Sequence, residues 1–234
     1  CSFRPNGGGA EAEMAANMIA AVAHMVELER QTGRHVAIAV EPEPCCFLET
    51  IEETVAYFRD YLFSAEAASQ LAKFSNVTPG AAAKLLPRHL GLCYDVCHAA
   101  VEYEDPAASI AMLRDADIPV HKLQLSSALR VASGTDAARN ALARFNEPTY
   151  LHQLIARDDN GALTRYSDLG EALAPGGVQN GDEWRVHFHV PVFLETLPEF
   201  DTTQSFLREI LAIHRKAPIS PHLEVETYTW DVLP

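Results

Sequence analysis

The feature that most constrains this chain is where its apolar runs stop. Val36-Ala37-Ile38-Ala39-Val40 is continuous and apolar, then breaks into Glu41-Pro42-Glu43-Pro44. Leu90-Gly91-Leu92-Cys93-Tyr94 leads into Asp95-Val96-Cys97-His98, and the run at 120–125 carries Gln124 near its end. The run at 186–190 carries His187 and His189, and that at 223–228 carries Glu224 and Glu226. Short runs without polar alternation predict strands covered on both faces, as in a parallel sheet. Each such strand turns ionisable or amide-bearing toward its C-terminal end.

Helical spacing separates these runs. Met14, Met18, Val22, Met25 and Val26 predict an amphipathic helix over 10–31, stopped by Gly33. Thr50 and Glu53 fit a capping box, and Thr78-Pro79 and Asp105-Pro106 each open a helix. A further helix is expected near 202–216. Alternating strands and helices predict an α/β fold with five parallel strands. The stretch 127–184 breaks the rhythm. In it, 150–156 and 162–166 flank Asp158-Asp159-Asn160-Gly161 and read as a β-hairpin, taken as an insertion over one end of the sheet.

The polar strand ends carry the chemistry. Glu41/Glu43, His187/His189 and Glu224/Glu226 are spaced two apart, which on a strand places both members on one face. Carboxylates buried there cost several kcal/mol each unless paired or bound to a cation. Carboxylates and imidazoles arriving from different strands suit a divalent metal of intermediate softness, such as Mn, Zn, Fe or Co. Glu41, Asp95 and Glu226 are the hardest to explain structurally. Glu43, between two prolines, reads equally as a solvated loop carboxylate, and His187 as a core histidine. His98 fits a cap or a supporting hydrogen bond, and Glu224 a partner for a basic residue. The other histidines default to structural roles, except that His152, beside the hairpin, could reach over the site.

Composition narrows the partners. Eighteen Lys and Arg against 32 Asp and Glu give a net charge of −14, which opposes nucleic-acid binding. No apolar stretch approaches the ~20 residues a membrane helix needs. Five cysteines without a CxxC pair predict free thiols in a reducing compartment, and no signal sequence follows Cys1, so a cytoplasmic setting is expected. A small polar metabolite is the expected partner. The residues specify no oligomeric state.

The blocks at 39–46, Asp95-Val96-Cys97-His98-Ala99-Ala100-Val101, Val186-His187-Phe188-His189-Val190-Pro191 and 222–230 resemble the EboE-like metabolite-traffic proteins of bacteria. The series also resembles the wider xylose-isomerase-like superfamily, which includes sugar isomerases, epimerases and the endonuclease IV group. The resemblance implies a TIM (β/α)8 barrel, with residues 1–234 covering strands four to eight as one domain. The hairpin at 149–166 would then be inserted between strands six and seven. The chain is shorter than the ~250 residues typical of that barrel, and Cys1 at its head accords with missing N-terminal strands. By position, the superfamily's metal quartet falls on Glu41, Asp95, Gln124 and Glu226, with Gln124 in place of the usual histidine. His189 or His187 would compensate at that position. The implied cofactor is a divalent ion (Mn, Zn, Fe, Co or Mg), and the implied catalytic pair, exchanging a proton, is Glu41 and Glu226. Glu43, His98, His187, Glu224 and His152 would bind substrate or support the ligands. The alternatives are a non-catalytic metabolite-binding protein, which Gln124 favours, and a zinc phosphodiesterase, favoured by Asp95-x-x-His98 and His187-x-His189.

Overall fold

A computed structural model of the chain describes residues 9–146 and 150–227. It is a mixed α/β structure with two sheets, one parallel and one antiparallel. The parallel sheet runs in the order β1 (Ile38–Val40), β2 (Leu90–Asp95), β3 (Val120–Leu125) and β9 (Leu223–Val225). The antiparallel sheet contains β4 (Leu129–Val131), β5 (Leu154–Arg157), β6 (Leu163–Tyr166), β7 (Glu183–Val186) and β8 (Asp201–Thr202), in the order β6-β5-β7-β4-β8. The parallel sheet is open, and no closed barrel forms among the described residues.

Local chemistry sets the helices. α1 (Glu11–Thr32) buries Ala15, Ile19, Val22 and Val26, a stripe at three- and four-residue spacing. It ends at Gly33, whose φ of 71° is left-handed and whose N–H donates to Glu29 O. α2 (Ile51–Tyr57) is capped by Thr50, whose hydroxyl accepts from Glu53 N at 3.2 Å, and a π-helical turn (Phe58–Leu62) extends it. Ser64 caps α3 (Ala65–Ser75), Thr78 caps α4 (Pro79–His89) and Asp105 caps α6 (Pro106–Asp115), each accepting from a backbone N–H three residues on. Between them, α5 (Val96–Val101) starts directly at the end of β2. The remaining helices are α7 (Asp136–Leu142), α8 (Leu169–Ala172) and α9 (Gln204–Lys216).

β2 is buried at every residue, as its unbroken apolar run requires. Its neighbours pair in register Val40↔Leu92 on one side and Asp95↔Gln124 on the other. Leu92, Leu123, Ile19, Phe58, Leu71, Leu86 and Ile210 belong to the main core, beneath the helices. A second core, with Trp184, Leu154, Val186 and Phe188, lies against the antiparallel sheet.

Two expectations are corrected. The parallel strand expected over 186–190 does not form. β7 ends at Val186 and pairs antiparallel with β4 and β5, so β9 pairs directly with β3. The backbone beyond Val186 is held by single hydrogen bonds: His187 N donates to Gln153 O (2.8 Å) and Val190 N to Ser127 O (2.9 Å). These acceptors come from different segments, so no ladder can form. The expected hairpin is present as β5 and β6, and β5 also pairs along its whole length with β7. Residue 149 lies outside the described residues. Among the cysteines, Cys45, Cys93 and Cys97 are free, whereas Cys46 is disulfide-bonded, contrary to the expectation of free thiols throughout. No helix of the described residues is long and apolar enough to cross a membrane.

The tight contact of β2 with β3 is testable at Gly91. A methyl group there would collide with the Pro119 carbonyl and the His121 ring. Gly91→Ala is expected to destabilise the chain by about 1–3 kcal/mol in urea unfolding. Unchanged stability would contradict the β2–β3 register.

Candidate metal centre

The site grows from the end of β2. Asp95 is 3% exposed, and its Oδ1 accepts from Cys97 N (2.7 Å), His98 N (3.1 Å) and Ser126 Oγ (2.7 Å). It is the N-cap of α5, and this is why the helix begins with no intervening loop. Its Oδ2 accepts from Gln124 Nε2 at 2.8 Å. That same amide donates to Glu41 Oε1 at 3.0 Å, while Gln124 Oε1 accepts from the Cys93 thiol at 2.7 Å. Gln124 therefore turns its nitrogen, a donor, toward the two carboxylates. Burial alone would raise the Asp95 pKa, but the His98 and His189 imidazoles, the Ser126 hydroxyl and the His98 amide more than offset it and hold it below the ordinary value.

Three imidazoles converge beside Asp95. His98 Nδ1 donates to Pro42 O (2.9 Å), and His187 Nδ1 donates to Gln153 Oε1 (2.7 Å). His189 Nδ1 lies 2.9 Å from Glu226 Oε2 and 3.2 Å from Glu226 O. Every Nδ1 thus faces an oxygen that only accepts, which leaves Nε2 as the inward atom of each ring. His187 Nε2 lies 3.0 Å from His98 Nε2 and 3.2 Å from His189 Nε2. All three residues are buried. Burial and the neighbouring histidines hold His187 well below the ordinary histidine value, so its Nε2 is a bare acceptor. Burial would also lower His189, but the Cys97 sulfur, Glu226 and Asp95 outweigh it and raise that ring well above the ordinary value.

The donor set fits a metal ion. Two nitrogen ligands about 2.0–2.1 Å from a tetrahedral zinc lie roughly 3.3 Å apart, close to the Nε2 separations here. Ligand atoms of Asp95, His98 and His189 all lie within 4.8 Å of one another, as do those of Cys97, His187 and His189. These buried Cys, His and Asp clusters could bind a metal.

The remaining candidates are placed around this centre. Glu41 is half-exposed; desolvation of its carboxyl raises its pKa, against the lowering effect of His98, whose Nδ1 is 3.7 Å away. Glu43 Oε1 is 3.8 Å from His187 Nδ1, at the edge of the site. His152 is buried and stacks on Phe188 at 5.3 Å, flanking the centre. Glu224 stands apart, on the exposed strand β9 and ion-paired with Lys122. The sequence reading missed Ser126, Cys93, Cys97 and Gln153. Ser126 sits two residues beyond Gln124, a spacing that could have found it, and Cys97 lies inside the Asp95–His98 motif.

No protein-family model, no curated protein and no solved structure matches the chain.

Asp95→Asn keeps the shape of the side chain but sets an amide nitrogen against that of Gln124. It is expected to cost about 2–4 kcal/mol of stability. Because the folded-state pKa of Asp95 lies below the unfolded value of about 3.9, its contribution is complete above that pH and is lost as pH falls through the folded value. Urea midpoints of both proteins measured from pH 7 down to acid should therefore converge only at the acid end. A constant gap across the range would refute this role for Asp95.

Proposed function

We propose that the chain is a metal-dependent protein of the xylose-isomerase-like kind, related to the EboE-like metabolite-traffic proteins, that isomerises or epimerises a small polar metabolite. The observation that carries the reading is the convergence of His98, His187 and His189 through Nε2, with every Nδ1 anchored. On this reading the parallel strands belong to a TIM barrel and present the site at their C-terminal ends. The resemblance of the 39–46, 95–101, 186–191 and 222–230 blocks supports it.

Cys97, His187 and His189, or Asp95, His98 and His189, would hold the ion, since the ligand atoms of each set lie within 4.8 Å of one another. A bound divalent ion supplies Lewis acidity that polarises a carbonyl or hydroxyl group. Zinc suits an imidazole-rich set better than magnesium does. Glu41 is the carboxylate best placed to exchange a proton with substrate. It keeps access to solvent, and its raised pKa brings it closer to the working pH of a general base. Glu226 orients His189 and sets its tautomer, as a carboxylate behind a histidine ligand does.

A second reading is favoured by Gln124. Its amide bridges Glu41 and Asp95 by hydrogen bonds, taking the position where the superfamily's quartet would place a ligand. A barrel that binds and hands on a metabolite without turnover needs no ion between those carboxylates. The phosphodiesterase reading is disfavoured by the −14 charge, which repels a nucleic-acid backbone.

Plasma mass spectrometry of the purified chain tests the reading. Near-stoichiometric zinc, manganese, iron or cobalt is expected, and it should be lost in His187→Ala and His189→Ala variants that retain native circular dichroism. Glu226→Gln should weaken binding by about 10–100-fold. Glu41→Gln should keep the metal yet lose any aldose–ketose or epimerase turnover found by screening. Metal content unaffected by either histidine variant would overturn the assignment, and metal with ligand binding but no turnover would favour the second reading.

A further inference from the structure

The antiparallel sheet meets α5 across a narrow joint, and one buried carboxylate sits in it. The apolar contact there is small: Cys97 and Val101 of α5, Ala128 and Ile155 form a cluster of their own. Around it the joint is polar. Arg185 Nη1 donates to Ala100 O (2.5 Å), and the Tyr103 hydroxyl donates to Glu183 O (2.9 Å). Between these residues in the chain stands Glu102, the C-cap of α5, whose Oε2 accepts from Arg165 Nη2 of β6 at 2.6 Å. The Glu102 side chain is 0% exposed, and its Oε1 is buried with no hydrogen-bond partner among the described residues. A carboxylate shut away from water needs donors on both oxygens to stay ionised without cost.

The charged groups around Glu102 do not make up the deficit. Arg165, its one cationic partner, is shared with Glu49 Oε2 at 3.7 Å, in the loop between β1 and α2. Glu104, two residues on, brings another negative charge, and its carboxyl accepts from Ile51 N and Ser109 Oγ, both at 2.6 Å. The Cys45 thiol, which burial pushes up to about 11, stays neutral and donates to Tyr166 O instead. Arg157 of β5 and Arg185 of β7 bond Glu183. In this corner Glu49, Glu102 and Glu104 thus stand against one guanidinium. Burial lifts the Glu102 carboxyl to about 7; Arg165 pulls the other way, and Glu49 and Glu104 add to the rise.

We propose that Glu102 is a pH-sensitive latch: its neutral carboxyl seats the β5–β6 hairpin on α5, and its ionisation loosens that seat. An ionised carboxylate regains hydration only when the hairpin lifts from α5, whereas the neutral acid loses little by staying buried. Seating the hairpin therefore takes up a proton. Because the folded value lies above the unfolded one of about 4.3, the contribution is complete below the unfolded value and is lost as pH rises through the folded value. Gln153 directly precedes β5 and accepts from His187 Nδ1, so the same loosening would unfix that ring. The latch itself does not depend on a bound metal.

Amide hydrogen exchange of the full chain reads the latch, followed by mass spectrometry on peptides covering 154–166 and corrected for the intrinsic pH dependence of exchange. Protection of the hairpin is expected to fall about tenfold from roughly pH 5.5 to 8 and to level off above that. Glu102→Gln imitates the neutral acid; it should abolish most of the fall and leave the hairpin better protected than in the native chain at the alkaline end. Histidine titration in the metal centre would act on both proteins alike, so an equal fall in the two overturns the proposal. Glu102→Gln lowering protection at every pH, as the loss of an ordinary stabilising ion pair would, overturns it as well. Should that variant not fold, carboxyl-carbon NMR of the native chain decides: a Glu102 midpoint of about 7 supports the latch, and one at the ordinary glutamate value refutes it.

Discussion

The Asp95 carboxylate ties together elements that sequence order keeps far apart. Two of its hydrogen bonds are local and turn the chain from β2 straight into α5. Two reach β3, through Gln124 and Ser126, and fix the ends of the two strands against each other. A buried carboxylate without such partners would cost several kcal/mol, so the group dictates what surrounds it. Because the helix starts without a loop, His98 arrives three residues past the strand end, with its ring against Pro42 O at the exit of β1. One satisfied charge thus sets the relative position of β1, β2, β3 and the first imidazole of the centre.

Charge is partitioned between the two sheets. The parallel sheet ends in carboxylates, and Gln124 stands between two of them as a neutral donor pair. An amide there relieves carboxylate repulsion without carrying charge, and it works only while its oxygen has another donor, which the Cys93 thiol supplies. The antiparallel sheet carries Arg130, Arg157 and Arg185, gathered around the Glu183 carboxylate on the same sheet. The histidines lie between, where imidazole can serve as acceptor, donor or metal ligand according to its neighbours. The pKa of His187 is pushed down by burial and its neighbouring histidines and that of His189 up by the Cys97 sulfur, Glu226 and Asp95, so one cluster drives two identical side chains in opposite directions.

Much of this was legible in the chain. The runs ending in Glu41, Asp95 and Gln124 became β1, β2 and β3, because an apolar run cut short by an ionisable group has few places to go in an α/β fold. The caps at Thr50, Thr78 and Asp105 and the turn at 158–161 are local chemistry, and they hold. The stretch 187–190 was not legible. Its alternation of histidine with Phe188 and Val190 matches a strand, but pairing depends on which distant carbonyls arrive, here Gln153 and Ser127. The facing arginines of β4 and β7 were hidden for a related reason. Arg130 and Arg185 are 55 positions apart, and only the register of β4 on β7 sets them face to face.

The loss of ladder pairing at His187 and His189 explains why their supports matter so much. A residue in a sheet interior inherits its direction from hydrogen bonds on both sides, whereas these two hang on isolated ones. Ring orientation must then come from the side chain outward: Gln153 Oε1 for His187 and Glu226 for His189, with Pro42 O doing the same for His98. The three supports come from three separate segments, each anchored to a different sheet edge or loop. The centre is therefore preorganised only when both sheets are seated, since β9 leads into Glu226, Gln153 precedes β5, and Pro42 follows β1. Its geometry is a product of the tertiary fold, and the folding of either sheet alone would leave the Nε2 atoms undirected.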